Sequence, residues 1–168
     1  FNEIITSFKL LSTIRINKNV DTSALSSPNR QYSIAEINET SIDIVKAFQH
    51  NEIVEVKFNH FETTISYIVK VLNLLPKVRK ITFYYIRLEN DEEVIDTTVQ
   101  PLMIESLNFF EADPKIFAAL HKLTVKAIDL RFYGDTPYYN FQDFLPFMKL
   151  QKELKSFSMR GIWESTLM

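Results

Sequence analysis

The sequence predicts an α/β protein, a right-handed solenoid in which short parallel strands alternate with short helices. The first observation is an apolar pattern, L-x-x-L-x-L, which fits the 168-residue chain in seven places. The second is its spacing, because the pattern starts are 21, 21, 25, 26, 21 and 29 residues apart. The third is a pair of apolar residues, four positions apart, that begins 12 residues after the start of the pattern in three of the units. Alternating apolar residues are typical of a strand and an i, i+4 pair of a helix, so each unit is a strand followed by a helix.

The apolar residues of the pattern occupy positions one, four and six of each unit, and we expect them to be buried on one face of the strand. In chain order they are Leu11, Ile14 and Ile16; Tyr32, Ala35 and Ile37; Ile53, Val56 and Phe58; Val78, Ile81 and Phe83; Ile104, Leu107 and Phe109; Val125, Ile128 and Leu130; and Leu154, Phe157 and Met159.

The helical pairs are Ile44 with Phe48, Ile65 with Val69, and Ile116 with Leu120. Parallel strands need a connection of about a dozen residues, which is almost always right-handed. An interval of 21 residues is long enough for it. A unit of this size cannot bury its own apolar face, so neighbouring units stack.

We expect a single domain over residues 1–168, with repeats at about 11–31, 32–52, 53–77, 78–103, 104–124, 125–153 and 154–168. The absence of an initiator Met and of a polar cap after the last strand predicts a fragment of a longer chain. Three irregular segments are expected to form loops: the Ser-rich residues 21–31, the acidic run 89–93, and the turn at 134–139. The last of these precedes a predicted helix over 140–153.

These units resemble the leucine-rich-repeat family in both their period and their apolar pattern. The resemblance covers nearly the whole chain and implies a horseshoe with a parallel sheet on its concave face and short helices on its convex face. The family usually has Asn or Cys at position nine. Here that position reads Asn19, Thr40, Phe61, Ile86, Ala112, Tyr133 and Ile162, so only the first unit fits.

The array is most similar to the substrate-binding region of intracellular F-box leucine-rich-repeat proteins, whose units vary in length as these do. That resemblance implies that the complete protein presents a target to a ubiquitin ligase, with the ligase adaptor bound by a missing N-terminal segment. No F-box is visible in this sequence.

Composition excludes several other classes of function. The chain has no Cys, which argues against disulfides and thiol catalysis and favours an intracellular site, cytoplasmic or nuclear. Two glycines cannot build a phosphate loop, and a net charge of −2 is atypical of nucleic-acid binding. No apolar run reaches membrane-spanning length. His50, His60 and His121 match no metal motif, so we expect no metal, cofactor or catalytic residue.

Positions three, five and seven of each strand should face the concave side. At position five, Arg15, Glu36 and Lys57 alternate in charge, and a solvated charge ladder is the simplest reading. At position seven the predicted residues are Asn17, Asn38, Asn59, Tyr84, Phe110, Arg131 and Arg160, with Tyr85 and Phe132 adjacent at position eight.

Tyr and Arg dominate binding energy at protein interfaces. We therefore expect Tyr84, Tyr85, Phe110, Arg131, Phe132 and Arg160 to bind a protein target. Alternatively, their rings pack against inserted loops or stack on one another.

The sequence thus predicts non-enzymatic protein recognition. The substrate-receptor role implied by the F-box resemblance is one form of it. A general intracellular scaffold or sensor without a link to ubiquitin is the alternative. A small-molecule enzyme built on a closed parallel sheet is a third possibility.

Overall fold

A computed structural model describes residues 13–17, 32–38, 42–49, 52–89, 103–113, 115–122, 126–134 and 141–160. Its strands are β1 (Thr13–Asn17), β2 (Ile34–Asn38), β3 (Glu55–Asn59), β4 (Glu62–Thr63), β5 (Lys80–Tyr84), β6 (Arg87–Leu88), β7 (Met103–Phe110), β8 (Lys126–Tyr133) and β9 (Ser156–Arg160). Its helices are α1 (Ile42–Lys46), α2 (Ile65–Leu74), α3 (Lys115–Lys122) and α4 (Phe141–Lys149).

The main sheet has seven strands in the order β1-β2-β3-β5-β7-β8-β9, and each neighbouring pair is parallel. Within the described residues it is open, with β1 and β9 at its edges. The predicted α/β class with a parallel sheet is therefore confirmed. A second, two-stranded parallel sheet, β4-β6, was not predicted because its strands are only two residues long.

The strand pairing confirms the predicted alignment of the apolar pattern in six of the seven strands. Positions four and six pair with their counterparts across β1, β2, β3, β5 and β7, and the pattern in β9 is in phase with them. The prediction for β8 is wrong by two residues, because Leu130 pairs with Leu107 and Phe132 pairs with Phe109. The pattern in β8 is therefore Ala127-x-x-Leu130-x-Phe132.

A ladder of four phenylalanines at position six forms the centre of the core. Phe58, Phe83, Phe109 and Phe132 stack in that order, with centroid separations of 5.2, 5.4 and 5.0 Å. All four are buried.

The helices cover this face of the sheet. Phe117 of α3 lies 4.8 Å from Phe109, and Phe144 of α4 lies 4.6 Å from Phe132, as measured between ring centroids. In the predicted helical pairs Phe48, Val69, Ile116 and Leu120 are buried and Ile65 is half-buried.

Local polar contacts fix where two helices begin. Thr64 precedes α2, and its hydroxyl accepts a hydrogen bond from the Tyr67 N–H at 3.1 Å, as expected of an N-cap. Asp113 accepts from the Lys115 N–H at 2.9 Å and from the Leu88 N–H at 3.2 Å. One carboxylate therefore joins the start of α3 to the small sheet.

Several sequence-based expectations lie outside the described residues. They include the loops at 21–31, 90–93 and 135–139, Leu11 and Val125 of the apolar pattern, His50, and the ninth-position residues Asn19, Thr40 and Ile162. Among the helices that the structure describes, none is both long enough and apolar enough to cross a membrane.

The phenylalanine ladder should dominate stability. Phe109→Ala removes a buried ring that contacts three others, so we expect the free energy of unfolding to fall by about 3–5 kcal/mol. Phe157 in the edge strand is 46% exposed, and Phe157→Ala should cost only about 1 kcal/mol. Urea denaturation measures both. Equal losses would show that the ladder is not the centre of the core.

Candidate functional site

Positions three, five and seven lie on the sheet face opposite the helices, which we call the open face. With the register of β8 corrected, position seven reads Asn17, Asn38, Asn59, Tyr84, Phe110, Tyr133 and Arg160. The rings of Tyr84 and Phe110 stack at 4.3 Å with 14° between their planes, and those of Phe110 and Tyr133 stack at 4.4 Å and 6°. We call these three half-buried residues the aromatic ladder.

The structure brings four of the six predicted site residues into one region at the carboxyl ends of the strands. Tyr84 and Phe110 are neighbours in the aromatic ladder, and Arg160 occupies the same row in β9. Tyr85 follows at position eight and is 46% exposed. The rings stack on one another, which is one of the alternatives that the sequence leaves open.

Two predicted placements are wrong because of the shifted register in β8. Phe132 is 1% exposed and belongs to the core ladder, so it cannot contact a partner. Arg131 is exposed on the open face, but at position five, between Asn108 and Ser158.

Sequence reasoning missed Tyr133, which completes the aromatic ladder. Two overlapping patterns fit β8 equally well, and the 21-residue interval favoured the one that starts at Val125. A usable signal was the Phe at position six of the three preceding strands, because the alternative pattern also ends in Phe.

An ion pair compensates the charge of Arg131. Its Nη2 lies 2.7 Å from Oδ2 of Asp129, two residues earlier on the same face of β8. The hydrogen bond to Asp129 raises the pKa of Arg131 above its ordinary value; the negative charge of Asp129 and a hydrogen bond with Tyr133 act in the same direction. The pair therefore adds no net charge to the open face.

Polar side chains on the open face form hydrogen bonds and ion pairs with one another. Asn59 donates to Glu36 at 2.7 Å, and Lys57 forms an ion pair with Glu55 at 3.4 Å. The Asn108 amide reaches the hydroxyls of Thr82 and Ser106, each at 3.3 Å. These contacts hold the side chains beside the aromatic ladder in place.

Position eight is left-handed after three successive strands of the main sheet. His60, Tyr85 and Glu111 have φ values of 55°, 48° and 47°. Each of their N–H groups donates to the position-seven carbonyl of the next strand, at 2.8, 2.8 and 3.0 Å. A left-handed residue other than Gly costs about 1–2 kcal/mol, so the strand pairing outweighs a repeated strain here.

These three residues form a ridge along the end of the sheet, which we call the left-handed ridge. The rings of His60 and Tyr85 stack at 4.6 Å, and the Tyr85 hydroxyl lies 3.5 Å from Oε1 of Glu111. The next residue in the row is Gly134, whose N–H donates to the backbone carbonyl of Arg160 at 3.1 Å. Because Gly has no side chain, the ridge ends there.

Two open grooves flank the left-handed ridge. One, of about 300 Å³, runs along the aromatic ladder to Gly134 and Arg160. The other, of about 920 Å³, lies against the small sheet and includes Phe61, Ile86 and Leu88. Tyr85 and Glu111 line both grooves. A partner laid across this end of the sheet would therefore contact the ridge from either side.

Within the part of the chain that the structure describes, no three His, Asp or Glu side chains converge as a metal site would require. Comparison of the chain with protein-family models, curated proteins and solved structures finds no match. The resemblance to leucine-rich-repeat proteins accordingly stays a prediction from the sequence.

Backbone strain at the ridge predicts that Gly is more stable than Ala there, the reverse of the usual order within a strand. Because Tyr85 is left-handed, Tyr85→Gly should be more stable than Tyr85→Ala by about 1 kcal/mol. Exposed Glu105, within β7, is the matched control, where Gly should be less stable than Ala by about 0.5–1 kcal/mol. Urea denaturation of the four variants tests this. The same order at both sites would contradict a strained ridge.

Proposed function

We propose that this protein is a non-enzymatic recognition module that binds a protein partner on its open face. The observation that carries the proposal is the aromatic ladder of Tyr84, Phe110 and Tyr133 on a sheet face that the helices leave uncovered. Large aromatic side chains supply much of the energy of protein interfaces, and Tyr adds a polar hydroxyl at the edge of an apolar ring.

The rings of the aromatic ladder are already ordered, and this favours binding. Each ring stacks on its neighbour in the ladder at 4.3–4.4 Å. Immobilising a free side chain at an interface costs about 0.5–1.5 kcal/mol. Rings that are already ordered avoid most of this cost, so contacts with them contribute more of their energy to affinity.

The finer architecture that we propose is a right-handed solenoid of about seven leucine-rich-repeat-like units, with the open face on its concave side. Three features support it: parallel neighbours in chain order, intervals of 21 residues, and a left-handed turn recurring after β3, β5 and β7. Parallel strands joined by short helices bury their apolar faces by stacking. A concave sheet would bring the aromatic ladder to the inside of the curve.

The narrower proposal is that the open face holds the target of a ubiquitin ligase. It is supported by the sequence resemblance to the F-box leucine-rich-repeat class, in which adaptor binding resides in a segment that precedes the repeats. A general recognition scaffold that uses the same face is the alternative. The two differ in whether ligase subunits accompany the protein.

Truncation of the ladder tests the recognition proposal. Tyr84→Ala, Phe110→Ala and Tyr133→Ala should each weaken a partner by more than about 1 kcal/mol while leaving the core ladder intact. A matched triple variant on the helices, Lys70→Ala, Asn73→Ala and Lys149→Ala, changes three exposed side chains away from the open face. Affinity capture with quantitative mass spectrometry compares the wild type with this helix variant and with a ladder variant that combines the three ring truncations, using the full-length protein as bait.

A partner that is lost from the ladder variant and retained by the helix variant supports recognition on the open face. Co-purification of adaptor and cullin subunits with that partner supports the substrate-receptor form, whereas the partner without these subunits supports the scaffold. If the folded ladder variant retains every partner, recognition on this face is wrong.

A further inference from the structure

We propose that the Arg160 end of the aromatic ladder receives an acidic side chain from an extended segment of the partner. The inference rests on the proposed function, since it specifies the chemistry of the partner at the same face. It follows from three observations: the distribution of charge along position seven, the part of each ring that the ladder exposes, and the gap at Gly134.

Arg160 carries the positive charge of the groove that runs along the aromatic ladder. It is the one charged residue in the position-seven row, and its exposed side chain forms no ion pair or hydrogen bond with the residues that the structure describes. Arg131 differs because Asp129 neutralises it at 2.7 Å. A partner carboxylate therefore gains more from Arg160, where it displaces no carboxylate of the described residues.

The ladder itself favours an oxygen acceptor. Stacked rings cover one another's faces and leave their edges outward, and the edge is the positive part of the ring quadrupole. The Tyr84–Phe110 and Phe110–Tyr133 planes are within 14° and 6° of parallel, so their edges form one surface. Apolar atoms of a partner fit along this surface, and its carboxylate oxygens are attracted to the edges.

The ridge sets where the carboxylate enters. Glu111 stands beside Phe110, whereas the next position in the row is Gly134, which leaves the groove open next to Tyr133 and Arg160. Glu111 and Arg160 belong to strands two apart, a separation of about 10 Å. Repulsion by Glu111 and attraction by Arg160 therefore place the partner's negative charge at the β9 side of the ladder.

The test is selection of binders from a random 12-residue peptide library displayed on phage. We expect peptides selected on the wild type to require the ladder, losing binding to Tyr133→Ala, and to be enriched about threefold or more in Asp and Glu over the unselected library. Selection on Arg160→Glu should instead enrich Lys and Arg.

A selected peptide, synthesised with its Asp or Glu and with the matching Asn or Gln, then gives a double-mutant cycle. Against the wild type the amide peptide should bind about tenfold more weakly, and against Arg160→Gln the two peptides should bind equally. The control is the double variant Asp129→Asn, Arg131→Gln, which removes a neutral pair and should preserve the tenfold preference.

The outcomes separate this inference from the proposed function. Ladder-dependent peptides without an acidic preference, or a preference removed by the 129/131 variant and not by Arg160→Gln, would overturn the role of Arg160 and leave recognition standing. Peptides indifferent to Tyr133→Ala, or no binding peptides at all, would overturn the inference, whereas the proposed function is decided by affinity capture with the ladder variant.

Discussion

In-phase parallel pairing is the constraint on which the rest of this structure depends. When neighbouring strands run parallel without a shift, residues at the same position lie side by side at about 4.8 Å, close to the separation at which aromatic rings stack. One such row, from Phe58 to Phe132, makes the core, and another, Tyr84 to Tyr133, makes the aromatic ladder. The same geometry thus produces both the stability of the fold and its candidate binding surface.

The pairing also explains the left-handed ridge. After β3, β5 and β7 the N–H at position eight still pairs with the next strand, and the backbone turns at that same residue in all three. Where that residue is Tyr85 or Glu111, the turn stores strain that the neighbouring pairing offsets. Gly134 occupies the corresponding position after β8, and Gly adopts a left-handed conformation without this cost. Side chains at this edge are therefore present at a cost in stability.

Much of the fold could be predicted from sequence because burial alternates along each strand and the intervals are regular. Strand β8 could not be placed, since Val125-x-x-Ile128-x-Leu130 and Ala127-x-x-Leu130-x-Phe132 are offset by only two residues and both alternate correctly. Because of that shift, Phe132 was predicted on the open face although it lies in the core, and Tyr133 was not predicted to be part of the aromatic ladder. The left-handed residues carry no sequence signal because they are not Gly, and whether two aromatic residues stack depends on side-chain angles.

The connections between strands vary in length while the pairing of the strands stays in phase. Insertions and deletions in the connections can therefore accumulate during evolution without moving any side chain on the open face. Point substitutions at position seven, in contrast, alter the candidate binding surface one strand at a time without touching the core. The side chains of the open face and the lengths of the loops are therefore free to change independently, so that drift in one leaves the other unchanged.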